Sequence, residues 1–187
     1  KTGLVKSREF TLETIAGRLP AEIAGRESVR MRMPDVASAA LGLKGSYPPG
    51  IKLVHFLNTG VPHAVIPVRS LERLDVEKLG RALRWNKAFG RAGANVNFVE
   101  LAGGRVRVRT YERGVEGETL ACGTGAIASS LIAATKGYVE SPVDVRVQSE
   151  ETLRIHFTRT PSGFEKVYLE GKTTMVYQGT LWDEAWR

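Results

Sequence analysis

Thr119-Leu120-Ala121-Cys122-Gly123-Thr124-Gly125-Ala126 is the segment of this chain best suited to chemistry. It sets a cysteine between a Gly- and Glu-rich loop and an apolar run, Ala126 to Ala134, that reads as a helix buried on most sides. The first N–H groups of such a helix, on Gly123, Thr124 and Gly125, have no partner within it. That terminus can hold a carboxylate or a phosphate, and its partial positive charge lowers the pKa of a thiol beside it. The two glycines let the backbone approach a ligand closely. Cys122 is therefore expected to be a reactive thiol; the competing reading is a small buried hydrophobe. The Lys-Ser/Thr pair that a P-loop needs after its last glycine is missing, since Ala126-Ile127 stands there.

Other candidates lie upstream. Glu112 and Arg113 end a strand ten and nine positions before the cysteine. Arg113 would grip a carboxylate with its planar fork. Glu112 would bind an ammonium group or tune the thiol, and the bland alternative is a solvated ion pair. His63 sits in the turn Gly60-Val61-Pro62-His63, where a loop carries function or a histidine merely faces water. Asn95 and Asn97 alternate with Val96 and Phe98, so both face one side of a strand, as substrate donors or as solvated groups. Cys122, His63 and Glu112 would also suit a hydrolase or transferase triad. One cysteine and three scattered histidines show no metal-ligand spacing.

The elements that must carry these groups are mostly strands. Glu9–Ile15, Val29–Met33, Ile51–Phe56, Ala64–Val68, Asn95–Glu100, Arg105–Tyr111, Val143–Val147, Leu153–Phe157, Lys166–Leu169 and Met175–Leu181 read as strands. A turn is read at Ala16-Gly17 and another at Ala102-Gly103-Gly104. Asp75 would cap a helix running to about Trp85, and Gly137 would end the apolar helix. The pattern is α+β. At 187 residues, 42% hydrophobic and 25% charged, the chain can bury a core without staples. One cysteine allows no internal disulfide and suggests a reducing compartment. No run is long and apolar enough to span a bilayer, so no membrane partner is expected.

The net charge is +7, 27 basic less 20 acidic residues, which favours acidic partners. Arg105, Arg107 and Arg109 form a basic stripe, but aromatics are only 7% and none interleaves with it. A solvated hairpin face explains the stripe better than a nucleic-acid-binding domain, which ranks last.

These residues together resemble a known family. Glu112-Arg113-Gly114 followed by Gly117-Glu118-Thr119-Leu120-Ala121-Cys122-Gly123-Thr124-Gly125 closely resembles the signature of diaminopimelate epimerase. Gly60-Val61-Pro62-His63-Ala64 resembles the family's Gly-Asn-Pro-His turn, Asn95–Glu100 its strand, and Thr14-Ile15-Ala16-Gly17 a segment of its first domain. The resemblance spans nearly the whole chain. It implies two pseudo-symmetric α+β domains, each of mixed, mostly antiparallel strands around a central helix. The first would be incomplete here: residues 1–33 its remnant, 34–172 the C-terminal domain carrying Cys122, and 173–187 a last strand returning to it.

The resemblance also implies the chemistry: inversion of LL-diaminopimelate to the meso form between two cysteines, for lysine and cell-wall synthesis, with no cofactor and no metal. Cys122 would be one of the two. Glu112 and His63 would be its acid–base neighbours, and Asn95, Arg113, Gly123 and Thr124 would hold the substrate. A cytoplasmic homodimer is implied, with no nucleic-acid partner. Two departures stand out. Val61 replaces the usual Asn, and the first cysteine is absent. Lys1-Thr2-Gly3-Leu4 resembles the stretch after the first domain's central helix, which puts that cysteine on a segment upstream, in cis or on another chain. The chain alone is then expected not to turn over. A related isomerase acting on proline or a phenazine precursor is the nearest alternative.

Overall fold

A computed structural model of the chain describes all residues except Lys1, Thr2, Leu4, Ala16, Ser38 and Arg187. Among the described residues twelve strands form: β1 (Glu9–Thr14), β2 (Gly17–Ile23), β3 (Ser28–Arg32), β4 (Val36–Ala37), β5 (His55–Asn58), β6 (Pro62–Pro67), β7 (Asn95–Ala102), β8 (Arg105–Glu112), β9 (Gly117–Thr119), β10 (Val143–Arg146), β11 (Thr152–Thr160) and β12 (Gly163–Lys172). Two α-helices, α1 (Val76–Arg84) and α2 (Gly123–Thr135), complete the framework. The strands join in one sheet ordered β1-β2-β3-β12-β11-β10-β8-β7-β6-β5, with β4 on β12 and β9 on β8. The β6–β7 and β8–β10 pairs are parallel. The other pairs are antiparallel.

The sheet wraps α2, which touches strands from β5 through β12. Its sequence, GTGAIASSLIAAT, is apolar on every face, and every residue from Gly125 to Ala134 is buried. Its buried hydroxyls are satisfied locally. Ser129 Oγ donates to the Gly125 carbonyl at 2.7 Å and Ser130 Oγ to that of Ala126 at 2.9 Å. Ile127, Leu131 and Ile132 meet Val65, Val99, Val108, Val145 and Ile155 from the strands.

Strand alternation sorts two cores. Ala64, Ile66, Val96, Phe98 and Tyr111 turn to the α1 side, with Val76 and Leu83 of that helix. Val65, Val99 and Val108 turn to α2. Asn95 and Asn97 share the face of Val99, and Thr110 that of Val108, so the same period brings a few polar groups to one end of α2. Asp75 caps α1 as expected, accepting from the Lys78 N–H at 3.0 Å.

The α+β class and the central helix agree with the sequence reading. Differences lie at the margins. The strand read from Ile51 begins only at His55, because Leu43 N–H bonds the Val54 carbonyl and the preceding residues run as loop. Met175–Leu181 forms no strand: residues 173–182 have no regular structure. Val176 and Tyr177, each 83% exposed, find nothing to pack on. The readings at Ala16 and over Lys1, Thr2 and Leu4 lie outside the described residues.

Gly80 of α1 lies so near Tyr111 that an added Cβ would stand 2.3 Å from that residue's Cβ. Gly80→Ala gains about 1 kcal/mol of helix propensity and loses about 1–3 kcal/mol to overpacking. Because neither atom sits on a flexible end, net destabilisation is expected, seen as a lower urea midpoint. An unchanged or raised midpoint would refute this packing.

Candidate active site

The site is built where α2 begins. Cys122 is its N-cap residue, in extended conformation, with no side-chain capping bond. The Ala126 N–H closes the first helical bond on the Cys122 carbonyl at 2.9 Å, so the N–H groups of Gly123, Thr124 and Gly125 have no carbonyl partner within the helix and point toward the sulfur's end of it. Cys122 Sγ lies 3.6 Å from Thr124 Oγ1. Both glycines are needed for close approach. A Cβ on Gly123 would meet Leu169 Cδ2 at 2.8 Å, and one on Gly125 would stand 2.3 Å from Asn97 Oδ1 and 3.2 Å from Cys122 Sγ.

The thiol's ionisation departs from the sequence reading. Burial pushes the Cys122 pKa up, and the Glu112 carboxylate pushes the same way. Hydrogen bonds from the Thr124 hydroxyl and from the Thr124 and Gly125 N–H groups pull it down without prevailing. The sulfur is thus a thiol near neutrality, because desolvation outweighs the helix terminus.

Strands β6, β7 and β8 supply the remaining groups through their register. His63 pairs with Asn95 across β6–β7, and Asn97 with Thr110 across β7–β8. Asn95 Oδ1 accepts from the Arg113 N–H at 2.7 Å, which ties the end of β8 to β7. The Arg113 side chain makes no ion pair among the described residues and remains available to an anion. Glu112 accepts from Thr119 Oγ1 at 2.9 Å.

His63 is fully buried. Its Nδ1 lies 3.1 Å from Asn97 Nδ2. Desolvation drives its pKa down to about 3, and the Arg113 charge adds to the fall. The expected acid–base role does not suit this ring, which stays neutral through the working range. Among the described residues neither Cys122 nor Glu112 is hydrogen-bonded to His63, so the structure does not join the three as a triad. His55 and His156 serve the sheet. His55 Nδ1 accepts from the Gly42 N–H at 3.1 Å, and His156 Nε2 lies 2.8 Å from Glu170.

Two positioning groups escaped the sequence reading. Arg84, 4% exposed, donates to Glu116 Oε1 at 3.0 Å and to the Ala92 carbonyl at 2.7 Å. Glu116 also accepts from the Gly114 N–H at 3.1 Å, so this pair holds the loop that follows Arg113. A buried arginine at the last turn of an amphipathic helix gives no sequence signal of its partner 32 residues on. The basic stripe is largely used up internally. Arg109 forks onto Glu118 with two bonds of 2.7 Å, and Arg107 lies near Glu72 and Glu100. A surface concavity of about 710 Å3 lies by Arg105 and Arg107 at the opposite end of β8 and includes no residue of the Cys122 segment. Among the described residues no three His, Cys, Asp or Glu gather as a metal site, and no helix is long and apolar enough to cross a membrane.

The family model for diaminopimelate epimerase matches residues 55–176, which include the whole of this site. The chain belongs to the diaminopimelate epimerase family. It is 42% identical over 181 residues to the diaminopimelate epimerase of Hydrogenobaculum sp. (strain Y04AAS1), covering 95% of this chain and 64% of that protein. It is 42% identical over 186 residues to that of Aquifex aeolicus (strain VF5), covering 96% and 64%. The chain thus spans just under two thirds of the length of these relatives. Among solved structures it resembles a PhzF-family phenazine biosynthesis protein of Bacillus anthracis, with TM-score 0.69, 15% identity, and 90% and 67% of the two chains covered. It also resembles a probable proline racemase of Agrobacterium radiobacter K84, with TM-score 0.65, 19% identity, and 95% and 62% covered. At such identities these likenesses establish the shared fold alone.

The two pKa shifts give opposite pH signatures. Iodoacetamide labelling of Cys122 should still be rising above pH 9, and Glu112→Gln should move the midpoint down by removing the charge that raises it. A midpoint below the ordinary thiol value would contradict the burial. His63 has a folded pKa below its unfolded value of 6.5. Its contribution is intact above that value and is lost as pH falls toward about 3. Stability should drop by about 1.4 kcal/mol for each pH unit through this window. His63→Gln should remove that component, which denaturant titrations of both proteins would show.

Proposed function

We propose that this chain carries one half of the catalytic apparatus of a diaminopimelate epimerase. The observation that carries the reading is the buried Cys122 thiol set at the free N–H groups of α2, with the unpaired Arg113 guanidinium at the neighbouring end of β8. Abstraction of an amino-acid α-proton places charge on the adjoining carboxylate. Fixed donors in a dry site are what that charge requires.

In this reading the N–H groups of Gly123 and Thr124 and the side chains of Asn95 and Arg113 hold the substrate's reacting carboxylate and amine. Glu112 keeps Cys122 protonated and faces the ammonium group. Cys122, as the thiol, then delivers its proton to one face of the α-carbon, and the thiolate so formed takes it back in the reverse direction. A second thiol must work the other face, and these 187 residues hold only one cysteine. We place it on a segment outside them, in the same polypeptide or on another chain.

Residues 1–33 and 173–187 would meet that segment. Leu12, Ile15, Ile23, Val176, Tyr177 and Trp182 are left exposed there. The division at 33/34 and 172/173, a homodimer and a reducing cytoplasmic setting belong to the same proposal. The alternative substrates, proline or a phenazine precursor, suit Glu112 and Arg113 less well. Proline lacks the second amino-acid end that extra polar groups would serve.

The test is α-deuterium incorporation into LL- and meso-diaminopimelate in D2O, catalysed by the native protein containing this chain and read by NMR. Cys122→Ser should lower exchange roughly 10²–10⁴-fold. Residues 1–187 alone should give no net inversion. Absence of α-deuterium in both isomers would overturn the reading, and a thioester on Cys122 would favour a hydrolase.

A further inference from the structure

His63 holds a buried ring nitrogen that meets no partner. Its ring is fully buried, and Nε2 has no hydrogen-bond partner among the described residues. Native interiors rarely leave such an atom unmet, and one that persists calls for an explanation. The other ring nitrogen faces Asn97, whose orientation decides the matter.

Asn97 is itself fully buried. One end of its amide lies 2.9 Å from the Ala64 carbonyl, which only accepts, so that end is Nδ2. The other end, Oδ1, takes the Thr110 hydroxyl at 3.0 Å. A flipped amide would set oxygen against oxygen at Ala64. Nδ2 therefore donates both its hydrogens, one to Ala64 and one to His63 Nδ1 at 3.1 Å. A nitrogen that accepts carries no proton. Asn97 lies beside the start of α2, because its Oδ1 fills the space that a side chain at Gly125 would need.

We propose that Asn97 is a positioning residue that holds His63 as the neutral, Nε2-protonated tautomer. His63 then offers a fixed hydrogen-bond donor at the Cys122 end of α2 and transfers no proton in the reaction. The donor role rests on the epimerase reading; the tautomer does not. The charge acting on the ring is that of Arg113, which disfavours protonation. The neighbours Asn97 and Thr110 are neutral. An acceptor that arrives with a ligand satisfies Nε2, so binding relieves an unmet group rather than creating one.

The experiment is long-range 1H–15N NMR of the chain labelled with 15N-histidine. His63 should show a protonated Nε2 and a bare Nδ1, unchanged from about pH 5 to about pH 8, where an ordinary histidine titrates. A protonated Nδ1, or a ring that titrates in that range, would sink the proposal. Asn97→Asp places an acceptor against Nδ1 and should move the proton there; an unaltered signature would also count against it. Should that variant not fold, the wild-type spectrum decides alone. For the donor role, diaminopimelate added to the native protein should shift the Nε2 resonance. Deuterium exchange without such a shift would overturn the donor role. No exchange together with the expected tautomer would overturn only the epimerase reading.

Discussion

The approach of α2 to β7 at Gly125 is the contact on which the site depends. A Cβ there would lie 2.3 Å from Asn97 Oδ1, closer than packed atoms come. With only hydrogen at that position, the first turn of the helix settles onto the polar end of the β6–β7–β8 face. The thiol, the free N–H groups and the Asn97 amide are then brought within one small volume. Gly123 lies against Leu169 on β12, where a Cβ would displace only the flexible Cδ2 end of that side chain. The helix start is therefore gripped from two strands that are far apart in the sheet order.

Electrostatics at this spot is a contest of near neighbours. The terminus of α2 favours the thiolate, and burial and the Glu112 carboxylate oppose it. Removing a charge from water costs more than a few partial charges return, so the thiol form prevails. The same rule acts on His63 in the opposite sense of charge. Desolvation and the Arg113 charge keep the ring neutral, and the hydrogen that Asn97 donates to Nδ1 favours the same form. Each group is held uncharged chiefly by its own burial.

Stiffness around the site comes from pairs remote in sequence. Arg84 at the end of α1 grips Glu116, Glu116 grips Gly114, and Asn95 grips the Arg113 N–H. Arg109 on the α1 face of β8 holds Glu118 on β9 and the Leu71 carbonyl. The loop between β8 and β9 is thereby fixed on both sides, and Glu112 and Arg113 at its start are held in place. By contrast, β1, β2 and the stretch after β12 expose large apolar side chains.

Much of this was legible from residue order. The alternation of Asn95-Val96-Asn97-Phe98 and of Arg105 to Tyr111 gave their strands and faces, and an apolar run without a polar side gave a buried helix. The Cys-Gly-Thr-Gly segment, with its glycines, marked where that helix would begin. Those are local matters, set by a period of two or 3.6 and by the absence of a side chain. Met175–Leu181 had a strand's composition and formed none, since a strand needs a partner for its N–H and C=O groups and composition cannot supply one. What only the tertiary structure decided was which groups lose water and which neighbours they meet. Thiol acidity, the neutrality of His63, and the links from Asn97 to Thr110 and from Arg84 to Glu116 all join residues 13 to 34 positions apart or turn on burial. Both arise from packing, and the order of residues along the chain does not encode either directly.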